Sequence, residues 1–279
     1  MNLECKHLAQ YIKYDCARRV SKLPKRPWLL IIQVAGDAAS DAYTKGKKRD
    51  CDEVGITCVH ELLPNDASLK AVHDVIDWGN QHADCVGIIL QLPLPKHLAP
   101  YQDYLLESIW HNKDVDGFSA KSPYDPCTPA GIIKLMKTWY ATDTLADKVV
   151  LVVGRGKLVG APLYNLLNRE NATIIQANSH TGKDTLKEMI SVADVVVTAT
   201  GRPDTINFYN AGNYNGLIID AGISRDGSGK LCGDCDKALY YSPDAYITPV
   251  PGGVGLLTRA MLMKNVVDAA YKQWGIEEA

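Results

Sequence analysis

Residues 149–160 read Val-Val-Leu-Val-Val-Gly-Arg-Gly-Lys-Leu-Val-Gly. A short, continuous apolar run ending in glycines describes a buried strand, a tight turn and the start of a helix. Glycines at 154, 156 and 160 let backbone N–H groups approach an anion, and a helix N-terminus favours negative charge, so the segment suits the phosphates of a dinucleotide. The spacing is GxGxxxG where GxGxxG is usual, and a glycine turn in any α/β protein would read the same way. The βαβ pattern around it, from 148 to 198, favours the nucleotide reading.

Working outward, short apolar runs alternate with helix-period stretches almost throughout, the mark of βα units and a parallel sheet. The pattern predicts strands at 28–34, 58–62, 85–91, 149–153, 173–177, 194–198 and 217–220. Helices are expected at 41–54, 69–80, 129–140, 161–168, 183–192 and 255–274. At 113–129, three Asp, three Pro and one Gly crowd together without apolar period, which reads as a loop between domains. Thr128 is expected to cap the following helix, with Pro129 in its first turn.

The chain has 279 residues, 46% hydrophobic and 22% charged, with net charge -2. That length allows two domains at roughly 150 residues each. The charge balance leaves no basic field for nucleic acid or anionic lipid, so a small-molecule enzyme fits best. No apolar run approaches the roughly 18 residues of a membrane span, and the first residues lack a secretory pattern. Eight scattered Cys fit reduced thiols, and a cytoplasmic protein is expected. Cys232 and Cys235 form the one CxxC, without a second pair to complete a zinc site, so no metal is expected.

Selectivity for NAD usually places an acid about 20 residues beyond the first glycine. Here the second strand ends Gln176-Ala177-Asn178-Ser179-His180, with no carboxylate. Arg155 in the turn then favours a 2′-phosphate, hence NADP, with NAD possible. In the first half, Tyr43 and Lys47 fall on one helical face, where they serve either catalysis or a solvated surface. Gln91 sits at the carboxyl end of a strand, where ligands bind in open α/β sheets, or is simply a polar strand end before a Pro turn. Asp114 and Asp116 are either ligand-binding or solvated turn residues. The uncharged PVPGGVG at 249–255 reads as a loop that clasps a ligand or as a rigid connection.

Taken together, GDAASDAYTKGK at 36–47, QLPLP at 91–95, KDVDGF at 113–118, PCTP at 126–129, VVGR at 152–155 with LVG at 158–160, and PVPGGVG at 249–255 resemble the bifunctional methylenetetrahydrofolate dehydrogenase/methenyltetrahydrofolate cyclohydrolase family. They occur in the family's order across nearly the whole chain. The resemblance implies an α/β protein of two domains with a cleft between them. Residues 1–128 and 255–279 would form the folate-binding catalytic domain, and 129–254 a Rossmann-type, doubly wound parallel-sheet domain. It implies NADP-linked oxidation of 5,10-methylenetetrahydrofolate, then hydrolysis of the methenyl product to 10-formyltetrahydrofolate, in a homodimer.

By the same resemblance Lys47 is the general acid/base, Gln91 its hydrogen-bonding partner, and Tyr43 the residue that stacks on the folate ring. Asp116 would accept from pterin N–H groups, with Pro251, Gly252, Gly253 and Val254 completing the folate contacts. Gly154, Arg155, Gly156, Val159, Gly160, Ser179, Thr200 and Ile223 would hold the cofactor. The chain departs from the family at Gly156 (usually Ser), Asn178 (often His), Leu256-Leu257 (usually Pro-Met) and a shortened 118–126 segment. Those departures keep two alternatives open, a dehydrogenase with weakened cyclohydrolase and a catalytically silent binding protein.

Overall fold

The computed structural model describes residues 5–241 and 246–277. Contacts divide the chain into two compact units. One comprises Gln10–Cys127 with the chain from Arg259 on, the other Thr128–Thr258 with the described residues before Gln10.

The first unit is built on three parallel strands, β1 (Trp28–Val34), β2 (Thr57–Leu63) and β3 (Cys85–Leu90), in the order β2-β1-β3. Its helices include α1 (Cys5–Val20, from Gln10 on), α2 (Ala38–Val54), α3 (Leu69–Gln81) and the short α4 (Gln102–Glu107). All of β3, and β1 beyond Trp28, is buried, as expected of parallel strands covered on both faces. Leu30, Ile32, Ile88 and Leu90 pack with Val72 and Ile76 of α3 in its core.

Helix α2 has sharp ends. Asp37 caps it by accepting from Ser40 N, and Gly55 closes it in the left-handed region at φ 88°. Its buried Asp50 is paired from two sides, by Lys13 of α1 at 3.1 Å and by Arg259 Nε at 3.1 Å. Arg259 belongs to the last helix, α9 (Val254–Trp274). Gly46 belongs to this arrangement, because a Cβ there would collide with Arg259 Nη1.

The second unit centres on β4 (Val149–Val153) in a five-stranded parallel sheet. With β5 (Thr173–Ala177), β6 (Val195–Thr198), β7 (Leu217–Asp220) and β10 (Tyr246–Ile247) the order is β10-β7-β6-β4-β5. Helix α5 (Cys127–Tyr140) leads into β4, helices α6 (Gly160–Arg169), α7 (Lys183–Val192) and α8 (Phe208–Ala211) connect β4 to β7 in turn, and β8 (Ser224–Arg225) pairs with β9 (Leu231–Cys232) as a small antiparallel ribbon. The chain runs from β4 outward to β5, then crosses back to place β6 on the other side of β4. That reversal is a topological switch point, where open α/β sheets bind ligands beyond the carboxyl ends of their strands.

One expectation is corrected. Helix α5 begins at Cys127, so Thr128 lies inside its first turn and does not cap it. Its hydroxyl instead bonds that of Thr258 at 2.9 Å.

Removing the Asp50 carboxylate would leave Lys13 to Glu53 alone and strip Arg259 of its buried carboxylate partner, a loss worth about 3 kcal/mol. Asp50→Ala is therefore expected to lower the urea midpoint markedly without changing the m-value, and equilibrium unfolding checks this.

Candidate functional site

Helical periodicity stacks Tyr43, Lys47 and Cys51 on one face of α2. Lys47 is only 6% exposed, so its ammonium needs a partner. It finds one at the carboxyl end of β3, donating to Gln91 Oε1 at 3.0 Å. Gln91 is itself aimed, because its Nε2 donates to the Leu92 carbonyl at 2.7 Å, which Ser40 Oγ also reaches at 3.3 Å. The half-buried ring of Tyr43 has its centroid 5.9 Å from Lys47 Nζ.

The KDVDG segment assigns different work to each charge. Lys113 is buried and donates to the carbonyls of Gly79, Asn80 and His82 at 2.9, 2.7 and 2.9 Å, capping the end of α3. Asp114 is buried and folds the turn, accepting from Gly117 N at 3.1 Å and Ser119 N at 2.8 Å. Burial lifts its carboxyl from 3.8 to about 6, against the lowering effect of the Ser119 bond. Gly117 takes φ 74°, and a Cβ there would meet the Tyr124 carbonyl at 2.8 Å. Asp116 is left half-buried beside Cys127.

Cys127 links the two groups of residues. Its fully buried thiol is pushed well above the usual range by burial, then by the Asp116 carboxylate, and is pulled the other way by Lys47. Lys47 and Asp116 thus act on one sulfur. Asn265 of α9 pins the loop around them, donating to the carbonyls of Val115 at 2.9 Å and Asp125 at 3.0 Å. The 118–126 segment is tied back to the residues before it by Ser122 Oγ, which donates to the Asp114 carbonyl at 2.8 Å, and by Tyr124 OH, which donates to the Asn112 carbonyl at 3.1 Å.

In the second unit, Gly154 takes φ 115°, and a Cβ on it would stand 2.6 Å from the Ala199 carbonyl. A Cβ on Gly160 would collide with the Gly154 carbonyl, so both positions require glycine for close approach of backbone. Gly156 is different, with open space where a Cβ would point. Arg155 and Gly156 are exposed, and Val159 is half-buried just before α6. Ser179 is exposed after β5, Thr200 half-buried after β6, and Ile223 57% exposed after β7. Together they follow the carboxyl ends of four parallel strands, where the backbone of a glycine turn and a helix N-terminus suit phosphate.

The 249–255 segment carries Pro251 and Gly252 exposed and Gly253 and Val254 buried, and just beyond it Leu257 of α9 is fully buried against Gly131 of α5. Cys232 and Cys235 are both buried free thiols. Reading from residues alone did not single out Lys113, Cys127 or Asn265. Only the charged KDVDG run carried a hint of the first.

A parallel α/β unit with a Lys–Gln pair at a strand end, alongside a second unit with a glycine turn at a switch point, defines a two-domain enzyme of the dinucleotide-linked class. Family models describe the same halves. Residues 3–116 match the catalytic domain of tetrahydrofolate dehydrogenase/cyclohydrolase, and residues 126–274 its NAD(P)-binding domain. The "Bifunctional protein FolD" of Agathobacter rectalis is 39% identical, over 96% of this chain and 98% of that protein. The solved FolD dehydrogenase/cyclohydrolase of Campylobacter jejuni superposes with a TM-score of 0.88 at 32% identity, covering 98% of this chain and 99% of its own. The FolD of Trypanosoma brucei, solved with NADP cofactor and inhibitor, superposes at 0.88 and 26% identity, covering 98% of this chain and 97% of its own. The chain belongs to the tetrahydrofolate dehydrogenase/cyclohydrolase family.

Because the folded-state value of Asp114 lies above its unfolded value, protonation favours the fold. Its contribution is complete below 3.8 and is lost as pH rises through about 6. The melting temperature of the wild type relative to Asp114→Asn is therefore expected to fall across that window, as thermal melts of both proteins at pH 4 to 6.5 would reveal.

Proposed function

We propose that this chain oxidises 5,10-methylenetetrahydrofolate with NADP and hydrolyses the methenyl product to 10-formyltetrahydrofolate. The observation that carries the reading is the 3.0 Å bond between buried Lys47 and Gln91, with the Tyr43 ring centroid 5.9 Å from the same lysine. No composition or fold argument alone requires a buried lysine to end on a glutamine at a strand tip.

In this reading the Tyr43 ring stacks on the folate, and the Asp116 carboxylate accepts from its pterin N–H groups, a charge-assisted anchor. Pro251, Gly252, Gly253 and Val254 complete the folate contacts. Gly154, Arg155, Gly156, Val159, Gly160, Ser179, Thr200 and Ile223 hold the cofactor, with Arg155 facing the 2′-phosphate. Bound NADP supplies the acceptor for a hydride from the methylene carbon. The protein's own task in that step is to hold two rings face to face.

Hydrolysis is where the side chains act. Water adds to the methenyl carbon and loses a proton, and the ring opens as a proton reaches its departing nitrogen. Lys47 Nζ carries those protons, while Gln91 Oε1 fixes where the nitrogen of Lys47 stands. Residues 1–128 with 255–279 serve the folate and 129–254 the cofactor, in a cytoplasmic homodimer.

Mixing the protein with methylenetetrahydrofolate and NADP is expected to reduce the cofactor with little methenyl accumulation, and faster than with NAD. Lys47→Met should bring methenyl hydrolysis down to the uncatalysed rate. Full hydrolysis by that variant, followed by the loss of methenyl absorbance, would remove Lys47 from the mechanism.

A further inference from the structure

The loops that follow β6 and β7 share one support that the reaction chemistry does not use. Asp220 ends β7 and Asp234 lies just beyond β9, and both are fully buried. Asp234 Oδ2 accepts from Thr198 Oγ1 at 2.8 Å and from Thr200 N at 2.6 Å, while its Oδ1 accepts from Arg202 N at 3.0 Å. The carboxylate therefore shapes the whole turn after β6. Asp220 Oδ1 accepts from Gly222 N at 2.9 Å and Asp234 N at 3.0 Å, and its Oδ2 from Cys235 N at 2.9 Å and Tyr240 OH at 3.3 Å.

The two acids interlock. A Cβ at Gly222 would collide with the Asp234 carboxylate, and one at Gly233 would collide with that of Asp220. Each loop thus has a glycine where the other loop's acid stands. Asp220 accepts from Asp234 N and from Gly222 N, the residue before Ile223, while Asp234 fixes Thr200 directly and packs against Gly222.

Burying two carboxylates is costly, and burial raises the Asp220 carboxyl, partly offset by its bonds from Asp234 N and Cys235 N. A single acid could order one turn. Two acids locked through reciprocal glycines hold two loops to each other at the ligand-binding ends of their strands.

We infer that Asp234, backed by Asp220, is a positioning residue that sets the loops carrying Thr200 and Ile223 for NADP. The inference rests on the proposed function, in which those two residues hold the cofactor. Asparagine cannot substitute at 234, because either orientation of its amide turns an N–H2 towards a backbone N–H donor.

The test uses the full chain with Asp234→Asn and, in case that variant fails to fold, Thr198→Val, which removes one of the donors. Two quantities are read, the Kd for NADP by titration calorimetry and the rate of methenyltetrahydrofolate hydrolysis without cofactor. Asp234→Asn is expected to weaken NADP binding about tenfold, and Thr198→Val about threefold. Hydrolysis by either should stay within about twofold of wild type, since a general loss of structure would lower both. Unchanged NADP affinity in a folded variant, or hydrolysis that falls in step with affinity, overturns the inference. A wild type that neither binds NADP nor turns over folate overturns the proposed function itself.

Discussion

A primary ammonium removed from water must be met by an oxygen, and that requirement fixes much of the first unit. Lys47 is met by Gln91, which has to stand at the tip of β3 with its amide held by the Leu92 carbonyl. For the lysine to arrive there, α2 must start and stop where it does, capped by Asp37 and closed by Gly55. It must also be held at the right height, which the Asp50 pair with Lys13 and Arg259 accomplishes. The same solution recurs at Lys113, where three carbonyls at the end of α3 take the place of one amide. One buried lysine is thereby committed to architecture, and the other keeps a partner that chemistry can displace.

Both units rely on a property of parallel sheets, that the loops at the carboxyl ends of adjacent strands lie side by side. In the first, the ends of β1 and β3 lead to the cap of α2 and to Gln91. In the second, β4, β6 and β7 lead to Gly154, Thr200 and Ile223, and carboxylates that accept from backbone N–H groups do the positioning that Gln91 does in the first. Glycine is required where backbones touch, at 154 and 160, and is dispensable in steric terms at 156. A side chain at 156 would therefore point into open space beside the glycine turn.

Much of this was legible in residue order, because strands such as Val149–Val153 are buried on both faces and read as unbroken apolar runs. Helix α1 escaped notice although Cys5, Ala9, Ile12, Cys16 and Val20 mark its buried face at helical spacing. Cysteine and alanine make a weak stripe beside so many charges. The ribbon of β8 and β9 and the strand β10 are two residues each, too short for any period to register. At the site, Lys47 sits in a run with Lys45, Lys48 and Arg49, and nothing local distinguishes the buried one. The division between Asp114 and Asp116 was equally hidden, since it depends on which carboxylate the N–H groups of Gly117 and Ser119 reach.

The first unit is discontinuous, for residues 10–127 are completed by the chain from Arg259 on. Asn265, Arg259 and Tyr271 bring to it the bonds that close the 115–127 loop, pair Asp50 and reach the Arg19 carbonyl. On a ribosome, residues 128–258 must be made before those contacts exist. The strands β1, β2 and β3 are therefore synthesised well before the helix that completes their unit. Until α9 is made, a nascent chain lacks the side chains that pin the 115–127 loop and pair Asp50.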